Sequence, residues 1–127
     1  MFKTLLVEDN MMYRSALKSA LLKRFANIET KETSGENDTL NTVDNFLPDL
    51  VIMDIVLKCS ITGLELTKII KLEHPEIVLV ILSQHDIPEY RYVAQQNYAD
   101  FFFSKNDSLK SIFEYVGSVI ENKHKSY

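Results

Sequence analysis

Two unbroken apolar runs, Leu50-Val51-Ile52-Met53 and Ile77-Val78-Leu79-Val80-Ile81-Leu82, constrain the fold of this chain more than any other feature. A strand that is apolar at every position has no face for water, so both faces must be covered, as in parallel sheets flanked by helices. The rest of the chain supplies the cover. Leu5-Leu6-Val7 predicts a first strand, and Tyr13, Ala16, Leu17, Ala20 and Leu21 then recur at helical spacing. Ile28 to Thr33, reading Ile, Glu, Thr, Lys, Glu and Thr, is too polar for a strand covered on both faces and suits a second strand at a sheet edge. Leu40, Val43 and Leu47 mark a second helix closed by Pro48, and Leu66, Ile69 and Ile70 mark a third that Pro75 ends. Ile87, Tyr90, Val93 and Ala94 mark a fourth helix, and Phe101-Phe102-Phe103 a fifth strand. Leu109, Ile112, Phe113, Val116 and Ile120 mark the last helix, with Asp107 or Ser108 placed to cap its first turn. Five alternating βα rounds predict one α/β domain with a parallel sheet and helices on both faces.

A length of 127 residues suits a single domain, expected here over residues 1–122, with 123–127 as a tail or the start of a linker. The net charge is -4 and the Lys and Arg residues are scattered, so the basic stripe of a nucleic-acid binder is missing. One cysteine, Cys59, can form neither an internal disulfide nor a two-cysteine metal site, and a reducing compartment is expected. The opening Met1-Phe2-Lys3-Thr4-Leu5-Leu6-Val7 runs at once into Glu8 and Asp9, too short an apolar stretch for a signal peptide or membrane span. A cytoplasmic location is expected.

In an open α/β sheet ligands collect at the carboxyl ends of the strands. There the first strand delivers Glu8 and Asp9, the third Asp54, the fourth Ser83, and the fifth Ser104 and Lys105. Carboxylates packed together repel by ~4 kcal/mol per pair at ~4 Å and an effective dielectric of about 20, so a cation is needed among them. Mg²⁺ fits hard oxygen ligands and commonly joins carboxylates to phosphate oxygens. Asp54 can then serve as a nucleophile that forms an acyl phosphate, with Lys105 as a second cation and Ser83 as a hydroxyl donor to a phosphoryl oxygen. Each residue alone has an ordinary alternative: a turn aspartate, a solvated acidic pair, a helix-capping serine, an exposed lysine. The weight lies in their falling at one sheet edge in one register.

These blocks, Leu5-Leu6-Val7-Glu8-Asp9-Asn10, Asp49-Leu50-Val51-Ile52-Met53-Asp54, Val80-Ile81-Leu82-Ser83 and Phe102-Phe103-Ser104-Lys105, resemble the receiver domains of two-component response regulators over nearly the whole chain. The resemblance implies a flavodoxin-like sheet of order 2-1-3-4-5. It implies Glu8, Asp9 and Asp54 as Mg²⁺ ligands together with the Val56 carbonyl, and Asp54 as the acceptor of a phosphoryl group from a sensor histidine kinase. It also implies Ser83 as the switch hydroxyl, Lys105 as the phosphate-sensing amine, and Phe102 as an aromatic ring whose position follows that hydroxyl. An output domain or partner protein would be reached through the face of helix 4, strand 5 and helix 5, where a homodimer is also to be considered. Tyr90, Tyr92, Phe102 and Tyr115 fall on these elements.

The sequence departs from the usual pattern in four places, one of them Gln84-His85 after Ser83, where a small residue usually comes first and where access to the phosphoryl group is expected to be altered. Asn106 follows Lys105 where a cis proline is common, and the loop 55–62 is one residue longer than usual and lacks its common proline. Tyr98 replaces a glycine before strand five, leaving Asn97 to provide a left-handed helix end. The segment Phe103-Ser104-Lys105-Asn106-Asp107-Ser108 looks most like receivers joined to helix-turn-helix DNA-binding domains, so a fragment of a transcriptional regulator is expected. Two other readings compete: a receiver fold that signals by contact without phosphorylation, and an aspartate-nucleophile phosphatase. The second would need an acid two residues after the nucleophile, where this chain has Val56, so no turnover enzyme is expected.

Overall fold

The computed structural model describes residues 1–57 and 61–125. Cys59, the middle of the loop 55–62 and the last two residues lie outside them. The elements in order are β1 (Phe2–Val7), α1 (Met11–Arg24), β2 (Ile28–Thr33), α2 (Glu36–Phe46) and β3 (Leu50–Met53). Then come α3 (Gly63–Glu73), β4 (Val78–Ser83), α4 (Pro88–Gln96), β5 (Phe101–Ser104) and α5 (Leu109–Lys125). The strands form one parallel sheet of order β2-β1-β3-β4-β5, with the polar β2 at an edge as its sequence required.

Successive side chains of a strand point to opposite faces, so each apolar run feeds two cores. Leu5, Val51, Met53, Leu79 and Ile81 meet Val43 of α2, Leu66 and Ile70 of α3 and Ala94 of α4. Leu6, Leu50, Ile52, Val80 and Leu82 meet Leu17 and Leu21 of α1 and Ile112, Val116 and Val119 of α5. Helices therefore divide three to two across the sheet.

Several helix faces and ends differ from the sequence expectation. Leu47 is not on the buried face of α2; it is exposed and left-handed at φ 49°, because Pro48 bars it from right-handed helical geometry, and Thr39 and Phe46 join Val43 inside instead. Ala16 is exposed on α1, and on α4 only Ala94 is buried, with Val93 and the preceding Ile87 partly open to solvent. Asn97 is not left-handed. It sits at φ -93° while its side-chain amide donates to the Leu64 carbonyl at 2.8 Å, and the reversal falls to Tyr98 at φ 72°. Of the two caps expected for α5 the place goes to Ser108, whose hydroxyl accepts from Ser111 N–H at 3.3 Å, while Asp107 accepts from Ser104 N–H. The helix runs to Lys125.

Lys71 reads in sequence as an ordinary helix lysine, yet it is buried. Its ammonium donates to the Pro75 carbonyl at 3.1 Å, the Ile77 carbonyl at 2.6 Å and Asp100 Oδ2 at 2.9 Å. Asp100 Oδ2 also accepts from Leu79 N–H, so one network ties α3 to the starts of β4 and β5. Lys71→Met would leave these acceptors without their donor and is expected to lower stability by about 2 kcal/mol in urea unfolding. An unchanged midpoint would mean that water replaces the ammonium at no cost.

Candidate functional site

The order β2-β1-β3 reverses the direction of winding at β1 and β3, and the crevice at their carboxyl ends is where such sheets bind ligands. The backbone holds the site in ladder register beyond the strands themselves. Glu8 N–H donates to the Thr33 carbonyl at 3.1 Å, Asp54 N–H to the Val7 carbonyl at 3.0 Å, and Lys105 N–H to the Ser83 carbonyl at 2.7 Å. Each functional side chain thus leaves a fixed point at the end of its strand.

Lys105 crosses the crevice. Its ammonium pairs with Glu8 Oε1 and lies 3.4 Å from Asp54 Oδ2, with all three side chains largely buried. Asp54 Oδ1 accepts a long contact from Val56 N–H at 3.4 Å, and Glu8 Oε2 accepts from Asn10 N–H at 3.1 Å. Glu8, Asp9, Asp54, Val56 and Lys105 line one cleft of about 480 Å³, completed by Asn10, Met11, Gln84 and His85. All the expected metal and phosphate residues except Ser83 therefore share one cavity wall. Ser83 ends β4 fully buried, and its hydroxyl accepts from His85 N–H at 2.9 Å. Phe102 is buried among the α2, α3 and α4 contacts, with the Arg91 guanidinium 4.7 Å above its ring.

Burial pushes the Asp54 carboxyl up to about 6, and the adjacent Glu8 adds to the rise. The Lys105 charge and the Val56 N–H oppose it without cancelling it. Tyr13 is likewise raised to about 12, by burial first and then by the charges of Glu8 and Asp54. Glu8 and Asp54 share one ammonium, Asp9 lines the same cleft, and the donors are hard oxygens in a space wide enough to keep water. That set fits Mg²⁺. A carboxyl ¹³C titration of the metal-free protein is expected to place the Asp54 midpoint near 6, moving lower when Mg²⁺ is added. A midpoint near 4 without metal would show that burial and Glu8 do not raise it.

Asn106 takes the position after Lys105 with no cis peptide among the described residues; its N–H donates to Ser104 Oγ at 3.0 Å, a bond a proline could not make. Gln84 and His85, expected after Ser83 to alter access to the phosphoryl group, line the cleft, and Asn10 and Met11, which follow Asp9, line it too without having been singled out in the sequence. Sequence reasoning took Tyr13 only as a core position on α1, and Arg91 carried no signal, since its partners Asp86 and the Phe102 carbonyl meet it only in the folded chain.

Residues 4–117 match the family described as the response regulator receiver domain. The chain is 26% identical over 121 residues to response regulator protein VraR of Staphylococcus saprophyticus, covering 95% of this chain and 57% of that protein. It is 29% identical over 118 residues to transcriptional regulatory protein MctR of Rhizobium johnstonii, covering 92% and 54%. The chain thus spans about half the length of these relatives. Among solved structures it is similar to a LuxR-family DNA-binding response regulator from Staphylococcus aureus, at TM-score 0.85 and 25% identity over 94% of this chain and 98% of the other. A CheY-like receiver from Methanospirillum hungatei shares the fold at TM-score 0.88 and 18% identity, covering 100% and 99%.

Proposed function

The chain belongs to the response regulator receiver domain family, and from that membership we propose that Asp54 is its phosphoacceptor, charged by a histidine kinase in a Mg²⁺-dependent reaction. The observation that carries this reading is the shared buried contact of Glu8, Asp54 and Lys105 in one acidic cleft.

An Asp54 carboxylate oxygen forms the new O–P bond as the P–N bond of the donor phosphohistidine breaks, and the imidazole leaves with the electron pair. Asp54 must be ionised for this, a requirement its raised pKa makes dependent on nearby positive charge. Lys105, already within reach of Asp54 Oδ2, offsets charge gathering on the phosphoryl oxygens. Glu8, Asp9, Asp54 and the Val56 carbonyl are the groups that would hold Mg²⁺. When bound, the ion supplies charge neutralisation and a template for the phosphoryl oxygens. Ser83, buried beneath the cleft, would offer its hydroxyl to the phosphoryl group once it turns from the His85 N–H. Val56 supplies no general acid or base, so the acyl phosphate would persist as a signal and not turn over as in a phosphatase.

The phosphoryl group adds a charge of about -1.5 to -2 at neutral pH, to which Ser83, Phe102 and the face of α4, β5 and α5 would respond. That face carries exposed Tyr92 and Phe101, with Phe101 packed on Phe103 and Tyr115 at 4.7 and 5.1 Å between ring centres. A complete switch from 1:99 to 99:1 would need about 5.5 kcal/mol of differential stabilisation. Transcriptional output through a DNA-binding domain, suggested by the names of the relatives, would belong to a longer protein acting in the cytoplasm. No described helix is long and apolar enough to cross a membrane.

Incubation with acetyl phosphate and Mg²⁺ is expected to add one phosphoryl group by intact mass, and EDTA to prevent it. Absence of any adduct would favour a receiver fold that signals by contact alone.

A further inference from the structure

Lys105 is held from a third side that neither acid provides. Its ammonium lies 4.3 Å from the centre of the Tyr13 ring, on the face of the aromatic system. The ring electrons attract a cation there, more strongly when water is excluded. The Lys105 side chain is only 8% exposed, and the groups around its ammonium come from three elements: Glu8 after β1, Asp54 after β3 and Tyr13 in α1.

Tyr13 is itself fixed in place. Asn10 Oδ1 caps α1 by accepting from Tyr13 N–H at 3.0 Å. The next residue, Arg14, donates to the Glu8 carbonyl at 2.8 Å and pairs with Glu32 of β2 at 3.3 Å. The first turn of α1 is therefore tied to the ends of β1 and β2, and the half-buried ring that leaves it packs against the core on the α1 and α5 side of the sheet. A flexible four-carbon stem that must present its charge to an incoming phosphoryl group gains from such a wall, because fewer of its rotamers point away.

We propose that Tyr13 is a positioning residue for phosphoryl transfer, its ring face holding the Lys105 ammonium over Asp54. The role belongs to the ring and not to the hydroxyl, and it rests on the phosphoacceptor reading above. Substituting Tyr13 by Phe keeps the face, while Leu keeps much of the volume without it.

With ¹³C-lysine, the ε-methylene protons of Lys105 are expected upfield of other lysines in the unmodified protein and in Tyr13→Phe, and back among them in Tyr13→Leu. With acetyl phosphate and Mg²⁺, adduct formation is expected to slow roughly 2- to 30-fold in Tyr13→Leu and to hold in Tyr13→Phe. Equal losses in both variants, or an unmoved lysine signal in Tyr13→Leu, would overturn the ring's role. The lysine shift needs no phosphodonor, so the two ideas fail separately: no adduct on the unmodified protein overturns the acceptor reading, whereas equal rates in all three proteins overturn only the part given to Tyr13.

Discussion

Asp54→Asn is expected to abolish phosphoryl uptake and, in the same experiment series, to make the metal-free protein more stable at neutral pH. The loss follows from chemistry: an amide keeps the shape of the side chain but has no anionic oxygen to attack phosphorus. The gain follows from linkage. The folded carboxyl titrates at about 6 against an ordinary 3.8, so between those values the native state binds more protons than the unfolded chain. Native stability therefore falls as pH rises from about 4 to about 6 and stays lowered above that window. The asparagine variant lacks this loss and should exceed the parent by about 2 kcal/mol at pH 7.5 in EDTA, with the difference vanishing below pH 4. Mg²⁺ should narrow the gap by stabilising the parent selectively. Urea unfolding at several pH values checks the sign, and a difference that ignores pH would mean that Glu8 and burial do not strain Asp54. An adduct surviving the substitution would move the phosphoacceptor elsewhere.

Gly63→Ala should be the most damaging of the glycine-to-alanine changes in the protein. A Cβ at Gly63 would lie 1.8 Å from the Asp54 carbonyl oxygen, 2.8 Å from its carbonyl carbon and 2.9 Å from Ile55 Cα. All three are backbone atoms, so no rotamer change relieves the clash. The close approach also carries the hydrogen bond from Gly63 N–H to the Ile55 carbonyl at 2.8 Å, which seats α3 against the segment after the acceptor. A loss of about 3 kcal/mol or more is expected, at the upper end of overpacking penalties, with weaker Mg²⁺ binding because Asp54 and Val56 must shift. Gly117→Ala is the control. There the new Cβ meets Phe25 Cε1 at 3.8 Å, an ordinary contact, and an alanine inside α5 should add roughly 0.5–1 kcal/mol. Opposite signs for the same chemical change would show that space, and not helix propensity, decides at Gly63. Thermal and urea unfolding of the two variants would suffice, and equal effects would contradict it.

The fold was legible because its strongest signals are local. An all-apolar Leu50-Val51-Ile52-Met53 has no solvated face, and the largely polar β2 cannot be covered on both, so central and edge places followed before any contact was known. Strand ends were legible for the same reason, and with them Glu8, Asp9, Asp54, Ser83 and Lys105 at one edge of the sheet. Helix faces were less so. Periodicity placed Leu47 inside, but the proline beside it turned its backbone over, and Asn97 gave up the left-handed position while bonding a carbonyl 33 residues away in sequence.

What the sequence determined by itself was order and edge: which runs must be covered, and which polar groups the strands must release at their carboxyl ends. Tertiary structure alone decided the distances on which chemistry depends. Lys105 and Glu8 stand 97 positions apart, yet their pairing, the Tyr13 ring beside them and the buried Lys71 network arise only when separate βα units close on one another. Local pattern reflects how each segment meets water, a property of neighbours along the chain. The raised Asp54 pKa reflects charge and burial contributed by other segments, and these exist only once the sheet has assembled.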